Sequence, residues 1–267
     1  MREISVEELK ILQLEILCKV DEFCCSNHIS YTLAYGTMIG AIRHKGYIPW
    51  DDDIDIAMPR PDYDRFIRNF NGYDPNLYVL APELQPFFYA TYANVCDRRT
   101  LLNEGKNSHL GIEMGVKIDI FPIDGTPYDY TEYKEEVKYI RQRSAMLASK
   151  RYPIEFRLSK SNIKMLIYRS ISILYNYDAI QRKIINKCLE YGYDHSEYVD
   201  TISYPIYNDT RVPKTYYSEY IDVVFENKSF KAIKEYDRYL KTIYGDYMKL
   251  PPVEKRVSHH DFNAFWK

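Results

Sequence analysis

The chain has 267 residues, room for one large domain or two modest ones, and its 46% apolar and 15% aromatic content argues against disordered and fibrous classes. With 36 Lys and Arg against 38 Asp and Glu, the formal net charge is −2, so a global polyanion-binding character is excluded and only local patches remain. Five cysteines (Cys18, Cys24, Cys25, Cys96 and Cys188) form no C-x-x-C pair, which argues against a disulfide framework and an ordinary zinc site. Buried thiols in a reducing compartment are expected instead. Glu3, Glu7, Glu8 and Lys10 stand where a signal peptide needs an apolar run, and the apolar stretch from Met165 to Tyr177 is too short to span a bilayer. The expected location is cytoplasmic, at most peripheral at the inner face of the plasma membrane.

Taken in chain order, Ser5 and Glu8 have capping-box spacing, and Leu9, Leu12, Ile16, Val20 and Phe23 continue one apolar face. This predicts a helix ending near Asn27. Tyr31–Tyr35 reads as a short strand broken by Gly36, and Met38–Lys45 as a helix with Gly46 as its left-handed stop. The alternation of Asp53–Met58 predicts a strand, and Asp62–Phe70 a helix. Strands are expected at Leu77–Leu80, Tyr89–Cys96 and Val116–Phe121. From Tyr133 to Tyr191 the period is helical, with a break at Pro153; a strand at Ile221–Phe225 and a helix at Ala232–Tyr244 follow. The expected class is α/β (α+β), with an α/β module over 1–126 and a mainly helical module over 127–267. Between Lys134 and Lys187, 13 Lys and Arg face four acidic residues, an excess of +9 that leaves −11 for the rest. Such a block is either an ordinary solvated surface or a face toward an anionic membrane or polymer.

The chemical signal is concentrated in Trp50-Asp51-Asp52-Asp53-Ile54-Asp55-Ile56. On a strand Asp53 and Asp55 share a face, with Cα atoms about 7 Å apart, while Ile54 and Ile56 face the core. Parallel carboxylates so close repel, and a hard divalent ion such as Mg²⁺ relieves the conflict. Gly36-Thr37, at a strand end and helix start, offers backbone N–H groups to a phosphate. Asp119 interrupts the apolar run of Val116-Lys117-Ile118-Asp119-Ile120-Phe121-Pro122 and needs a metal or a donor if buried. Arg43, His44 and Lys45 lie where they either contact phosphate or cap a helix C-terminus. Trp50 either stacks on a ligand or belongs to the core. Arg256 reads as a phosphate clamp, and His259 and His260, which point in different directions, have no clear joint role.

The run from Tyr35 to Ile56, YGTMIGAIRHKGYIPWDDDIDI, closely resembles the LicD family, within the polymerase-β-type nucleotidyltransferase superfamily that includes fukutin-related protein. Lys117-Ile118-Asp119-Ile120-Phe121-Pro122, Tyr244-Gly245-Asp246-Tyr247-Met248 and Pro251-Pro252 resemble it too. The resemblance implies a nucleotidyltransferase core with a mixed sheet. It also implies Mg²⁺-dependent (or Mn²⁺-dependent) transfer of phosphocholine from CDP-choline to a sugar hydroxyl of a cell-surface glycan precursor, teichoic acid or lipooligosaccharide, with no nucleic-acid partner. Carried over by position, Asp53, Asp55 and Asp119 would be catalytic metal ligands, braced by Asp51 and Asp52. Gly36, Thr37, Arg43, His44, Lys45, Trp50 and Arg256 would bind the donor. Transfer of glycerol phosphate or ribitol phosphate from the CDP-activated polyol is the alternative within this chemistry, and attack at the α-phosphorus is another. A non-catalytic glycan- or lipid-binding protein is the rival of another class; three converging aspartates argue against it.

Overall fold

A computed structural model describes residues 1–85, 88–104, 113–151, 166–170, 176–205, 210–257 and 262–267. Helix α1 (Val6–Asn27) starts where the sequence places it: the Glu8 N–H donates to Ser5 Oγ, and His28 in the left-handed region closes the far end. Strand β1 (Arg2–Glu3) precedes α1, and β2 (Thr32–Leu33) follows it. Helix α2 (Tyr35–Ile39) runs into a π-turn over Gly40–His44. The left-handed stop is Lys45, with φ 64°, rather than Gly46. Gly46 is needed for another reason, because a Cβ there would lie 2.2 Å from Glu226 Oε1.

Strand β3 (Asp55–Pro59) leads directly into α3 (Arg60–Asn69). Strands β4 (Leu77–Leu80), β5 (Ala93–Asp97), β6 (Thr100–Glu104) and β7 (Lys117–Thr126) follow. The central sheet has the path β2-β3-β7-β5-β4, extended from β7 by β8 (Tyr198–Asp200) and then β9 (Val212–Pro213). Only β3 and β7 pair in parallel along that path, so the sheet is mixed. Phe23 of α1 meets Phe66 of α3 edge-on at 5.7 Å and Phe70 just beyond α3 at 5.1 Å, which joins the two helices. Ile56, Ile118 and Ile120 share one sheet face and are fully buried, each such side chain contributing roughly 1.5–3 kcal/mol.

Helices α4 (Tyr130–Arg151) and α5 (Tyr177–Cys188) pack on each other around Tyr133, Val137, Ile140, Leu147, Ile180 and Ile184. Pro153, the expected break, lies outside the described residues. The predicted helix at Ala232–Tyr244 is shorter: β10 (Tyr220–Phe225) and β11 (Lys228–Ile233) form a hairpin first, and α6 covers Tyr236–Tyr244. Glu226 and Asn227 turn that hairpin with φ of 49° and 60°, as a tight two-residue turn requires. The hairpin then fastens to the front of the molecule. The Glu226 N–H donates to the Lys45 carbonyl, and Glu226 Oε1 accepts from the Tyr47 N–H. Strand β12 (Phe262–Trp266) sits between β1 and β6 in a second small sheet. The larger hydrophobic core accordingly draws residues from Ile4 to Ala264. No helix among the described residues is long and apolar enough to cross a membrane, and the five cysteines carry no disulfide.

Candidate active site

Parallel pairing of β3 and β7 sets Asp55 directly opposite Asp119. Antiparallel pairing on the other edge of β7 sets Asn94 opposite Asp119 as well. Three strands thus contribute one polar residue each to a single rung on one sheet face. The rung is held by the backbone around it: the Asp119 N–H donates to the Ile54 carbonyl, and the Ala34 N–H donates to the Asp55 carbonyl. Thr37 is buried, and its Oγ1 accepts from the Asp55 N–H at 2.8 Å, which ties α2 to the start of β3. From behind, Gln13 of α1 donates from Nε2 to the carbonyls of Asp52 (3.0 Å) and Lys117 (3.4 Å).

Charge accumulates at this rung. Burial, together with the nearby carboxylates of Asp53, Asp119 and Asp51, holds the Asp55 carboxyl well above the ordinary carboxylate range. Lys117 works in the opposite direction: its Nζ donates to Asp119 Oδ1 at 2.6 Å, and Asn94 Nδ2 donates to the same oxygen at 2.5 Å. Asn94 Oδ1 is buried without a hydrogen-bond partner. Among the described residues no three carboxylate, imidazole or thiolate groups converge as they stand on one point fit for an ion. The donor set is nevertheless hard oxygen throughout, with a surplus of negative charge and one orphaned acceptor, and this suits Mg²⁺ or Mn²⁺. Asp53, Asp55 and Asp119 are the residues that would hold it.

The other expected residues fall into two groups. Asp51 packs its carboxylate against Gly36: a Cβ on Gly36 would lie 2.6 Å from Asp51 Oδ2. Just before it, Tyr35 has φ 44°, a conformation that costs a bulky residue on the order of 1–3 kcal/mol. Its ring meets Phe121 edge-on at 5.1 Å and its hydroxyl bonds Thr201, which fix that strained turn in place. The second group lies at the far end of the π-turn. Arg43 Nε donates to His44 Nε2 at 2.9 Å, and Arg43 Nη1 donates to the Tyr247 carbonyl at 2.5 Å. Burial and Arg43 push the His44 imidazole below its usual range, toward the neutral form. Trp50 stands between His44, at 6.5 Å, and the Arg256 guanidinium, 5.6 Å from its ring centre. Arg256 also donates to the Pro251 carbonyl. Arg43, His44, Trp50 and Arg256 therefore form one patch, Lys45 is exposed beside it, and His259 and His260 lie outside the described residues. Sequence reasoning missed Asn94 and Gln13; a polar residue inside the apolar run Ala93–Cys96 was the available signal for Asn94.

The family model for the nucleotidyltransferase domain of LicD, FKTN and FKRP proteins matches residues 28–153, which include every residue of the acidic rung. Over 271 aligned residues the chain is 30% identical to a lipopolysaccharide cholinephosphotransferase LicD of Haemophilus influenzae, covering 99% of each protein. Two uncharacterized Rickettsia proteins match only 63 residues: one from R. typhi at 40% identity (23% of this chain, 20% of the relative), one from R. prowazekii at 38% (23% and 24%). With the full-length match and the acidic rung in agreement, the chain belongs to the LicD family.

Proposed function

We propose that this protein transfers phosphocholine from CDP-choline to a sugar hydroxyl of a cell-surface glycan. The observation that carries the reading is the register of β3 against β7, which stacks Asp55 on Asp119 within reach of Asp51 and Asp53. A pure binding protein gains nothing from such mutually repelling carboxylates. The full-length relative named as a cholinephosphotransferase supports the choice of transferred group.

In this reading the acceptor oxygen attacks the phosphorus bearing choline, a P–O bond to the sugar forms, the bridging P–O bond breaks, and CMP leaves. Mg²⁺ or Mn²⁺, when bound, neutralises the donor phosphates and the developing charge on CMP. Asp53, Asp55 and Asp119 would hold the ion, with Asp51 packed against Gly36 as a brace. Asp119 takes the proton of the attacking hydroxyl; Lys117 and Asn94, which both donate to its Oδ1, orient the carboxylate. Lys117 supplies a positive charge beside the donor phosphates. The Arg43–His44–Trp50–Arg256 patch is assigned to the nucleotide end of the donor. The basic block between Lys134 and Lys187 brings the protein to an anionic membrane that carries the acceptor.

Incubation with CDP-choline, with and without divalent ion and glycan acceptor, tests the reading. CMP release that requires both supports it. Release of phosphocholine instead of CMP places the attack at the α-phosphorus. Turnover of CDP-glycerol or CDP-ribitol in preference to CDP-choline replaces the transferred group.

A further inference from the structure

The sheet face that carries the acidic rung continues into rings. Phe121 lies two residues beyond Asp119 on β7, and Tyr92 two residues before Asn94, so both share the face of the rung. Tyr92 and Phe121 are 4.3 Å apart and tilted by 34°. Tyr204, from the loop after β8, closes on both, at 5.0 Å from Tyr92 and 5.8 Å from Phe121. Phe121 is buried, Tyr92 half-buried and Tyr204 39% exposed, so the cluster opens outward at Tyr204. Tyr92 is also near enough to Asp119 and Asp55 to feel both charges.

Ring packing alone does not account for this placement. A purely hydrophobic cluster gains most from distance to carboxylates and from full closure, and this one has neither. Aromatic faces are the negative side of the ring quadrupole, and next to a carboxylate surplus they form a surface that favours a cation. A primary ammonium would pair with the carboxylates by hydrogen bonds; a cation without N–H groups can use only the ring faces.

On the phosphocholine reading, we propose that Tyr92 and Tyr204, backed by Phe121, form the subsite that receives the quaternary ammonium of the transferred group and sets the choice of donor. The test compares kcat/KM for CDP-choline with that for its neutral isostere, in which carbon replaces the quaternary nitrogen, in wild type, Tyr204→Phe, Tyr204→Leu and Tyr92→Leu. Tyr204 is the primary site because its exposure lets Leu be accommodated without disturbing the core. Wild type and Tyr204→Phe should prefer CDP-choline, and Tyr204→Leu should lose that preference by roughly tenfold, the effect of one good cation–π contact. Tyr92→Leu should lose it as well. A proportional fall for both donors, or a preference that survives both leucine variants, overturns the subsite while leaving the phosphocholine reading intact. A wild type that prefers CDP-glycerol or CDP-ribitol overturns that reading itself, and the subsite with it.

Discussion

Gly36→Ala separates the brace from the fold. Gly36 is absent from the positive-φ positions, so alanine meets no backbone strain there. What it meets is Asp51: the new Cβ would sit 2.6 Å from Oδ2, about 0.8 Å short of ordinary contact. The atom that must yield is the end of a flexible side chain, so the carboxylate moves and the helix stays. Replacing glycine in α2 with alanine removes backbone freedom from the unfolded chain, and stability should hold or rise by up to about 1 kcal/mol. Turnover should go the other way. A displacement near 1 Å in a preorganised site can cost about 10²-fold, and on the reading of Asp51 as a brace a loss of roughly ten- to a hundredfold in kcat/KM for CMP release is expected. Urea unfolding of the same preparation supplies the stability arm. Asp51→Ala and the Gly36→Ala/Asp51→Ala double variant complete a cycle. If glycine matters only by making room for Asp51, the double variant is no worse than Asp51→Ala. If the two losses multiply, Gly36 serves a donor phosphate directly. Near-normal turnover in Gly36→Ala would refute the brace.

Asp55→Asn should lower transfer by about 10²–10³-fold and, by removing a repelled charge, raise thermal stability in metal-free buffer; an unchanged melting temperature together with normal turnover defeats the assignment. Glu136 on α4 is 2% exposed, both its oxygens lack hydrogen-bond partners, and burial raises its carboxyl to about 8 against the pull of Lys187 and with help from Glu190, Asp124 and Asp200. The folded state therefore keeps a proton that the unfolded state releases above about pH 4.5, and wild-type stability should fall as pH rises toward 8 relative to Glu136→Gln, by about 1 kcal/mol per pH unit after solvent screening; a pH-independent difference in urea midpoints counts against it. Co-sedimentation with anionic vesicles should be strong at low salt and weaken as ionic strength rises, and no binding at low salt returns the 134–187 block to ordinary surface.

Local signals were read well from the chain, and long-range ones were not. The capping box at Ser5 and Glu8 is a contact within one turn, and the helix starts there. Strand β4 has the predicted bounds, and Ile-Asp-Ile alternation located β3 and β7 to within a few residues. By contrast β11 leaves little trace in the sequence, and the helix expected from Ala232 takes in its last two residues, because the signal that makes it a strand is its hairpin partner, with Glu226-Asn227 in place of a glycine turn. The β1-β12-β6 sheet joins opposite ends of the chain and leaves no local trace. The same division holds at the site. Asp55 and Asp119 were legible as interruptions of apolar alternation, whereas Asp53, expected on the same strand as Asp55, lies ahead of β3. That Arg43 reaches the Tyr247 carbonyl, and that Arg256 lies over Trp50, depends on contacts some 200 positions apart. Asn94 was overlooked because one asparagine in a strand carries no motif.

The arrangement of rungs has a consequence for how such a protein changes its substrate. In a sheet, successive same-face positions on one strand are neighbours but not substitutes: the rung of Asp55, Asp119 and Asn94 is fixed by the pairing of three strands, and the next rung on β7 carries Phe121. A register slip of one residue in β7 would turn Asp119 away from Asp55 and Asn94, so the acidic rung cannot drift by small steps. The ring rung is not so constrained. Tyr204 comes from a loop, and Tyr92 precedes the first residue of β5, so both can vary without touching the ladder. On the proposed reading, the phosphoryl chemistry is locked into strand register, while recognition of the transferred group is left to a strand end and a loop. Exchange of the rings for polar side chains should then move the preference toward polyol donors while the dependence on Asp55 and Asp119 remains. An exchange that abolished all transfer and left stability intact would show instead that the rings take part in the chemistry itself.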